Sequence, residues 1–429
     1  MRKIILNAGD EFDASQIERT GAFNADALKT ATDIIADVRE RGDACLRELT
    51  EKFDGVCVDD FRVSEQVIDA GAKKCDPKTA SALKRAAEQI RDFHERQVQQ
   101  SWFHARENGA VVGSRITPVE SAGIYVPGGR ALYPSSFLMN AIPAVVAGVP
   151  RIVCATPPAS DGALDPALCV ACKITGVDEI YTVGGAQAIA ALAYGTQSIS
   201  PVVKITGPGN AFVAAAKKLV NGDVGIDMIA GPSEVCVVAD DDADPALVAI
   251  DLMAQAEHDP LAACYLVCRN EDYVDRVQAE IDKHLANSTR ADITRASLDG
   301  HGLAVIVSSR EAAVQVINVI APEHLELHVK CATEMLGSIK CAGAIFLGEW
   351  TVEALGDYCA GPNHTLPTGG TARFSSPLSV DDFVKKSSVI QYSSEALLDD
   401  ADTTMTIAEH EGLWAHAQSV RLRAEVLRD

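Results

Sequence analysis

The stretch VVKITGPGNAFVAAAKKLV, residues 202 to 220, decides the fold. Its opening VVKIT is short, apolar and rich in β-branched residues, as a buried strand is. A glycine-bounded turn, GPGN, follows. AFVAAAKKLV then has apolar positions spaced for a helix. Strand, glycine loop and helix in succession form the repeating unit of a parallel, doubly wound sheet.

The same order recurs on both sides of this stretch. RIVCATPP (151–158) and EIYTVGG (179–185) read as buried strands ending in Pro or Gly, and AQAIAALAYGT (186–196) as a helix. A second set begins after Gly231. SEVCVVAD, AACYLVC, LAVIVSS and AGAIFLGEW read as strands, with PALVAIDLMAQA and REAAVQVINVI as helices between them. The fold class is therefore α/β, with two tandem Rossmann-like parallel-sheet units. The similar patterns of SFLMNAIPAVVAGVPRIVCA and REAAVQVINVIAPEHLELHV hint at an internal duplication.

The flanks have another texture. Residues 1–110 form a helical N-terminal region, with helices in ADALKTATDIIADVRERGD and TASALKRAAEQIRDFHERQVQQ. The two sheet units are placed at residues 111–233 and 234–380. Residues 381–429 form a short helical C-terminal tail, whose last helix is TTMTIAEHEGLWAHAQSVRLRAEVL. A chain of 429 residues exceeds what one hydrophobic core usually supports.

The net charge of -22 repels nucleic acid and anionic membrane surfaces, so neither is an expected partner. No apolar run is long enough to span a membrane, and MRKIILNAGDEF turns polar too soon for a signal peptide. The twelve cysteines then read as reduced thiols of a cytoplasmic protein. Cys169 and Cys172 form a CxxC inside a buried-helix pattern, with no second such motif nearby to complete a zinc ribbon.

The GxGxxG fingerprint of dinucleotide folds is absent. In its place stand GIYVPGG (123–129), VGGAQA (183–188) and GPGNAF (207–212). Each lies where a strand should end, and the last two open a helix whose backbone amides can hold phosphate. Three such loops in one unit point to a nucleotide bound in an unusual way.

Polar clusters lie elsewhere. QAEHDP (255–260) puts Gln255 and His258 three apart at the end of a helix, on one face. Glu323 and His324 are adjacent in APEHLEL, and Asp357 precedes His364 by seven residues. His410, Glu411 and His416 share the tail. Histidines beside oxygen donors suit zinc or another borderline divalent metal, and histidine also serves as a base near neutral pH. Read alone, each cluster has a bland explanation as surface or packing.

These motifs together are similar to those of the histidinol dehydrogenase family. The match runs in order through GIYVPGG, VGGAQAIAALAYGT, KITGPGNAFV, DMIAGPSEV, QAEHDP, APEHLEL, GDYCAGPNHTLPT, ARFSSPLSV and the Glu411–His416 pair. The resemblance implies NAD-dependent, four-electron oxidation of L-histidinol to L-histidine through bound L-histidinaldehyde, the last step of histidine biosynthesis. It implies zinc ligated by Gln255, His258, Asp357 and His416, in a homodimer whose tail reaches the other subunit's site. His324 would be the general base and Glu323 the group that activates water. Ser233, His364 and Glu411 would join the zinc ligands and His324 around the substrate. Tyr125, Gln187 and Asn210 would contact NAD. Metal ligation needs a neutral substrate amine, so activity should rise with pH.

PPASDGALDPAL (157–168) is long for the family and reads as a surface loop before a helix. The competing reading is a relative in the same superfamily that oxidises another polar alcohol, such as a sulfonated diol. The tail pair and the full ligand set favour histidinol.

Overall fold

In a computed structural model of the chain, residues 1–128, 133–159 and 163–428 are described. Gly129 of the first glycine loop and residues 160–162 of the surface loop lie outside them.

The chain opens with β1 (Arg2–Leu6) and the helices α1 (Ala25–Arg41), α2 (Asp43–Asp54), α3 (Glu65–Ala72) and α4 (Pro77–Glu95). Strands β2 (Trp102–Ala105) and β3 (Val111–Pro118) follow. A first alternating run contains β4 (Ala122–Tyr125), α5 (Pro134–Val146), β5 (Ile152–Thr156), α6 (Pro166–Thr175) and β6 (Glu179–Thr182). It continues through α7 (Gly185–Tyr194), β7 (Lys204–Thr206), α8 (Ala211–Val220) and β8 (Gly225–Ile226). A second run has β9 (Glu234–Ala239), α9 (Pro245–Ala256), β10 (Ala263–Cys268), α10 (Glu271–Leu285) and α11 (Ala291–His301). It ends with β11 (Gly302–Val307), α12 (Arg310–Ile320), β12 (His324–His328), β13 (Ala344–Leu347) and α13 (Glu353–Tyr358). The chain closes with β14 (Val384–Gln391), α14 (Ser394–His410) and α15 (Trp414–Arg428).

The chain divides into two compact units, Met1–Gln97 with Val119–Phe383 and Val98–Pro118 with Val384–Asp429. In the first unit, one parallel sheet has the order β6-β5-β4-β7-β8 and the other β1-β11-β10-β9-β12-β13. Each run starts in mid-sheet, places two strands to one side and then two to the other. The two runs thus share one topology, and β1, which precedes the N-terminal helices, adds an edge strand to the second. The two patterns compared in the sequence do not superpose in this scheme. The first leads from α5 into the second strand of its run, and the second from α12 into the fourth.

Strands β9, β10 and β11 are buried at every position, which is why they read as unbroken apolar runs. Strand β12 differs. Leu325 and Leu327 enter the apolar core with Val316 and Ile317, while His324, Glu326 and His328 are buried on the opposite face. An interior strand with three buried polar side chains in a row is the local anomaly around which the site is built.

In the second unit, β14 pairs antiparallel with β3 over eight positions, and β2 flanks β3. The tail's last helix is in fact two. Gly412 has a φ of 74°, a left-handed conformation that glycine tolerates, and it separates α14 from α15. Glu411 caps the end of α14, and His416 stands in the first turn of α15.

Candidate active site

Helix α12 stops at Ala321, whose φ of 47° is left-handed, and Pro322 prevents its continuation. Glu323 and His324 come next and open β12, both buried. Their backbone is pinned by β13, since Ala344 N–H donates to the Glu323 carbonyl at 2.9 Å. The Glu323 carboxylate accepts the Glu234 N–H at 2.9 Å.

The His324 ring is oriented through Nδ1, which lies 3.1 Å from Gln255 Oε1 and 3.2 Å from the Glu234 carbonyl. Two acceptors there assign a proton to Nδ1, and Nε2 has no hydrogen-bond partner. Carboxylates surround the ring. Glu323 and Glu353 lie 3.9 and 3.8 Å from Nδ1, and Asp357 lies 3.7 Å from Nε2. Burial alone would lower the imidazole's pKa, but Glu353, Glu323 and Asp357 outweigh it and raise it well above the ordinary value; a cation held by the same carboxylates would offset their pull and free Nε2 to act as a base. Burial pushes Glu323 up to about 7, against the pull of His324.

The facing wall comes from α9 and α13. Asp244 caps α9 and Pro245 opens it, so its C-terminal turn delivers Gln255 to the ring. His258 lies in the turn just beyond, not on the helix itself, with its N–H donated to the Gln255 carbonyl. Helix α13 contributes Glu353 and Asp357, and the Asp357 carbonyl lies 2.9 Å from His364 Nδ1. His258, Glu353 and Asp357 each offer a ligand atom, all within 4.8 Å of one another. Glu353 Oε2 is buried with no hydrogen-bond partner, and the Gln255 amide oxygen keeps a second lone pair. Imidazole, carboxylate and amide oxygen form a donor set that suits zinc, and the local excess of negative charge calls for a cation.

These groups line a cavity of about 630 Å³, which Ser233 and His364 also face. A second cavity, of about 830 Å³, lies over the ends of β4, β5 and β6 and takes in Tyr125, Gln187 and Asn210. The two share Pro127, Tyr133 and Asn210, so they adjoin. Asn210 caps α8 through its side-chain oxygen, and the Tyr125 hydroxyl accepts the Gly185 N–H at 3.0 Å. The GPGN loop is clamped by a buried Lys217–Asp227 ion pair. Lys217 donates to the Gly207 carbonyl at 2.8 Å, and Asp227 accepts the Gly207 N–H at 2.9 Å.

Of the residues singled out in the sequence, Ser233, Gln255, His258, Glu323, His324, Asp357 and His364 meet in one cavity. Glu411 and His416 belong to the other unit, where both are exposed. Sequence reasoning missed Glu353, which sits four residues before Asp357 and therefore on the same helical face. It also missed Glu326 and His328, which alternate with leucines after His324, and Asp251, four residues before Gln255.

The family model described as histidinol dehydrogenase matches residues 17–424. Histidinol dehydrogenase of Bacillus subtilis (strain 168) is 50% identical over 395 residues, covering 92% of both chains. That of Clostridium acetobutylicum is 50% identical over 415 residues, covering 97% of this chain and 96% of the relative. The crystal structure of histidinol dehydrogenase from Elizabethkingia anophelis, 34% identical, covers 100% of this chain and 99% of its own, with a TM-score of 0.94. The fold, the cavity built around His324 and these matches agree, and this chain belongs to the histidinol dehydrogenase family.

Proposed function

We infer that this chain is an oxidoreductase that converts L-histidinol to L-histidine in histidine biosynthesis, using NAD and one zinc per subunit. The observation that carries the reading is the unpartnered His324 Nε2, aimed into a cavity that adjoins the glycine-loop cavity. A base and a hydride acceptor must meet on one carbinol carbon, and these two cavities meet at Asn210 and Tyr133.

When bound, zinc supplies a cationic anchor for the substrate's amine and imidazole nitrogens, and NAD supplies the hydride acceptor. Gln255, His258 and Asp357 would hold the metal, and His416 of the partner subunit would complete the set. His324 Nε2 takes the hydroxyl proton as hydride leaves the carbinol carbon, giving the aldehyde. Glu323 takes a proton from the water that adds to that aldehyde, while His324 returns its proton to the aldehyde oxygen, giving the hydrate and a free imidazole. His324 takes the second hydroxyl proton as the second hydride leaves, giving the acid. Each oxidation sends a hydride to NAD and leaves a proton on a base, so two hydrides and two protons depart and the four-electron oxidation balances. Holding the reactive aldehyde in a buried cavity through both steps prevents its loss.

Residues 111–233 form the NAD-contacting part in this reading, 234–380 the zinc and catalytic part, and 381–429 a tail exchanged in a cytoplasmic homodimer. Support for the exchange is the exposed apolar surface of the tail, where Ile407, Trp414, Leu422 and Val426 face outward. Glu411 of the partner subunit would then join the substrate contacts. Tyr125, Gln187 and Asn210 contact NAD.

The test is a count of NADH. Zinc-loaded protein with limiting L-histidinol and excess NAD should give two NADH per histidinol, with histidine as product. One NADH would remove the water step from Glu323. None, with turnover of another polar alcohol, would move the chain's substrate elsewhere in the superfamily.

A further inference from the structure

The buried polar face of β12 continues past the active site. His324, Glu326 and His328 are alternate residues and project to the same side of the sheet. Helix α9 brings Asp251 and Gln255, one turn apart, and α13 brings Glu353 and Asp357, one turn apart. The side chains therefore stack in two tiers. The first tier is the active site, His324 with Gln255, Glu353 and Asp357. In the second, His328 Nε2 lies 3.2 Å from Asp251 Oδ2 and 3.3 Å from Glu326 Oε2.

One hydrogen bond joins the tiers. Helix α13 is six residues long, and its N-cap, Val352, makes no side-chain capping bond. The first N–H of that helix, Glu353's, is donated instead to Glu326 Oε1 at 2.6 Å. Glu326 thus acts as a remote cap, with one oxygen on the helix and the other on His328. A charge-assisted bond of this kind fixes both the position and the rotation of a short helix. If stability alone were at stake, apolar side chains of similar volume would serve as well as a buried acid–imidazole–acid cluster.

We propose that Asp251, Glu326 and His328 are positioning residues for the active site, which fix the start of α13 and thereby set where Glu353 and Asp357 stand around the metal. The inference rests on the zinc reading above. Burial alone would lower the His328 imidazole, but Asp251 and Glu326 raise it to about 9, and its Nε2 is hydrogen-bonded to Glu326 with Asp251 alongside. Removing the Glu326 acceptor frees the helix start, and Asp357 loses its registry with His258.

The experiment measures zinc affinity by chelator competition, apart from activity, in the parent, Glu326→Ala, Glu326→Gln and Leu327→Ala. Leu327 neighbours Glu326 but points into the apolar core, so its truncation costs stability without touching α13. Glu326→Ala should weaken zinc binding about 10- to 100-fold, the usual effect of losing a group that orients a ligand. Glu326→Gln keeps an acceptor for the Glu353 N–H and should stay within about threefold of the parent. Leu327→Ala should bind zinc as the parent does, whatever its melting temperature. Parental affinity in Glu326→Ala, or equal weakening in Leu327→Ala, would overturn the proposal. If Glu326→Ala does not fold, His328→Gln is read by the same criteria. Two zinc ions per chain, one lost in Asp251→Asn, would make the cluster a metal centre instead and also overturn it. If the parent binds no zinc, the metal reading fails and this inference with it; if the parent binds and the variants match it, this inference fails alone.

Discussion

His324 Nδ1 lies 3.1 Å from Gln255 Oε1, so one amide orients the proposed base while its oxygen keeps a second lone pair for the proposed metal. Gln255→Ala removes both services. Zinc affinity should fall, and kcat at saturating zinc should still drop by about 10- to 100-fold because the ring loses an orienting partner. Dialysis followed by metal analysis, then kcat with zinc restored, measures the two effects. Full recovery of kcat with zinc would leave the Glu234 carbonyl as sufficient orientation.

Glu323→Gln should separate the two half-reactions. The alcohol step needs only His324, so the first NADH should still form. Oxidation of supplied L-histidinaldehyde should slow by about 10²- to 10⁴-fold, the range for losing a general base. Because burial raises Glu323 to about 7, its carboxylate population grows through that value, and the parent's aldehyde step should accelerate with pH and level off above it. An aldehyde step that is flat across this range would exclude Glu323 as the base.

Gly207 has a φ of +119°, and a Cβ there would stand 2.1 Å from the Tyr125 carbonyl oxygen. Gly207→Ala must displace the GPGN loop or the end of β4. The KM for NAD should rise by about tenfold or more, roughly 1.4 kcal/mol of lost binding, while zinc affinity stays parental. Parallel titrations with NAD and zinc report this; a change confined to zinc would place the cofactor elsewhere.

Stability should carry a signature of His328. Its folded value of about 9 exceeds the ordinary 6.5, so the folded chain binds the proton more tightly than the unfolded one. The resulting stabilisation is full below about pH 6.5 and is lost as pH rises through about 9, amounting at most to on the order of 3 kcal/mol. Denaturant titrations should show the gap between parent and His328→Gln narrowing over that window. A constant gap would mean that the imidazole is neutral throughout.

Mixed dimers test the exchanged tail. His258→Ala and His416→Ala chains should each be inactive alone. Unfolded together and refolded at equal ratio, half the molecules pair unlike chains, and each such pair has one intact site. Roughly a quarter of the parental activity should return. No recovery, with dimers confirmed by light scattering, would place His416 in its own chain's site.

Legible in the sequence were the alternation of strands and helices, the three glycine loops and the residues proposed for the chemistry. Strand and helix periods depend on neighbours a few positions apart, so VVKITGPGNAFVAAAKKLV declares its structure wherever it stands. Gln255, Glu323, His324 and Asp357 were legible because each sits in a long, distinctive motif. Glu353, Glu326, His328 and Asp251 were not, because each is unremarkable in its own segment and acts only beside the others. The break at Gly412 was hidden too, since the pattern around it is helical on both sides. That β12 lies against α9 and α13 came from packing alone, and it turns a strand-period run of polar residues into a buried network. The reason is that a site is a set of distances between segments far apart in the chain, and those distances are set by packing, not by local pattern.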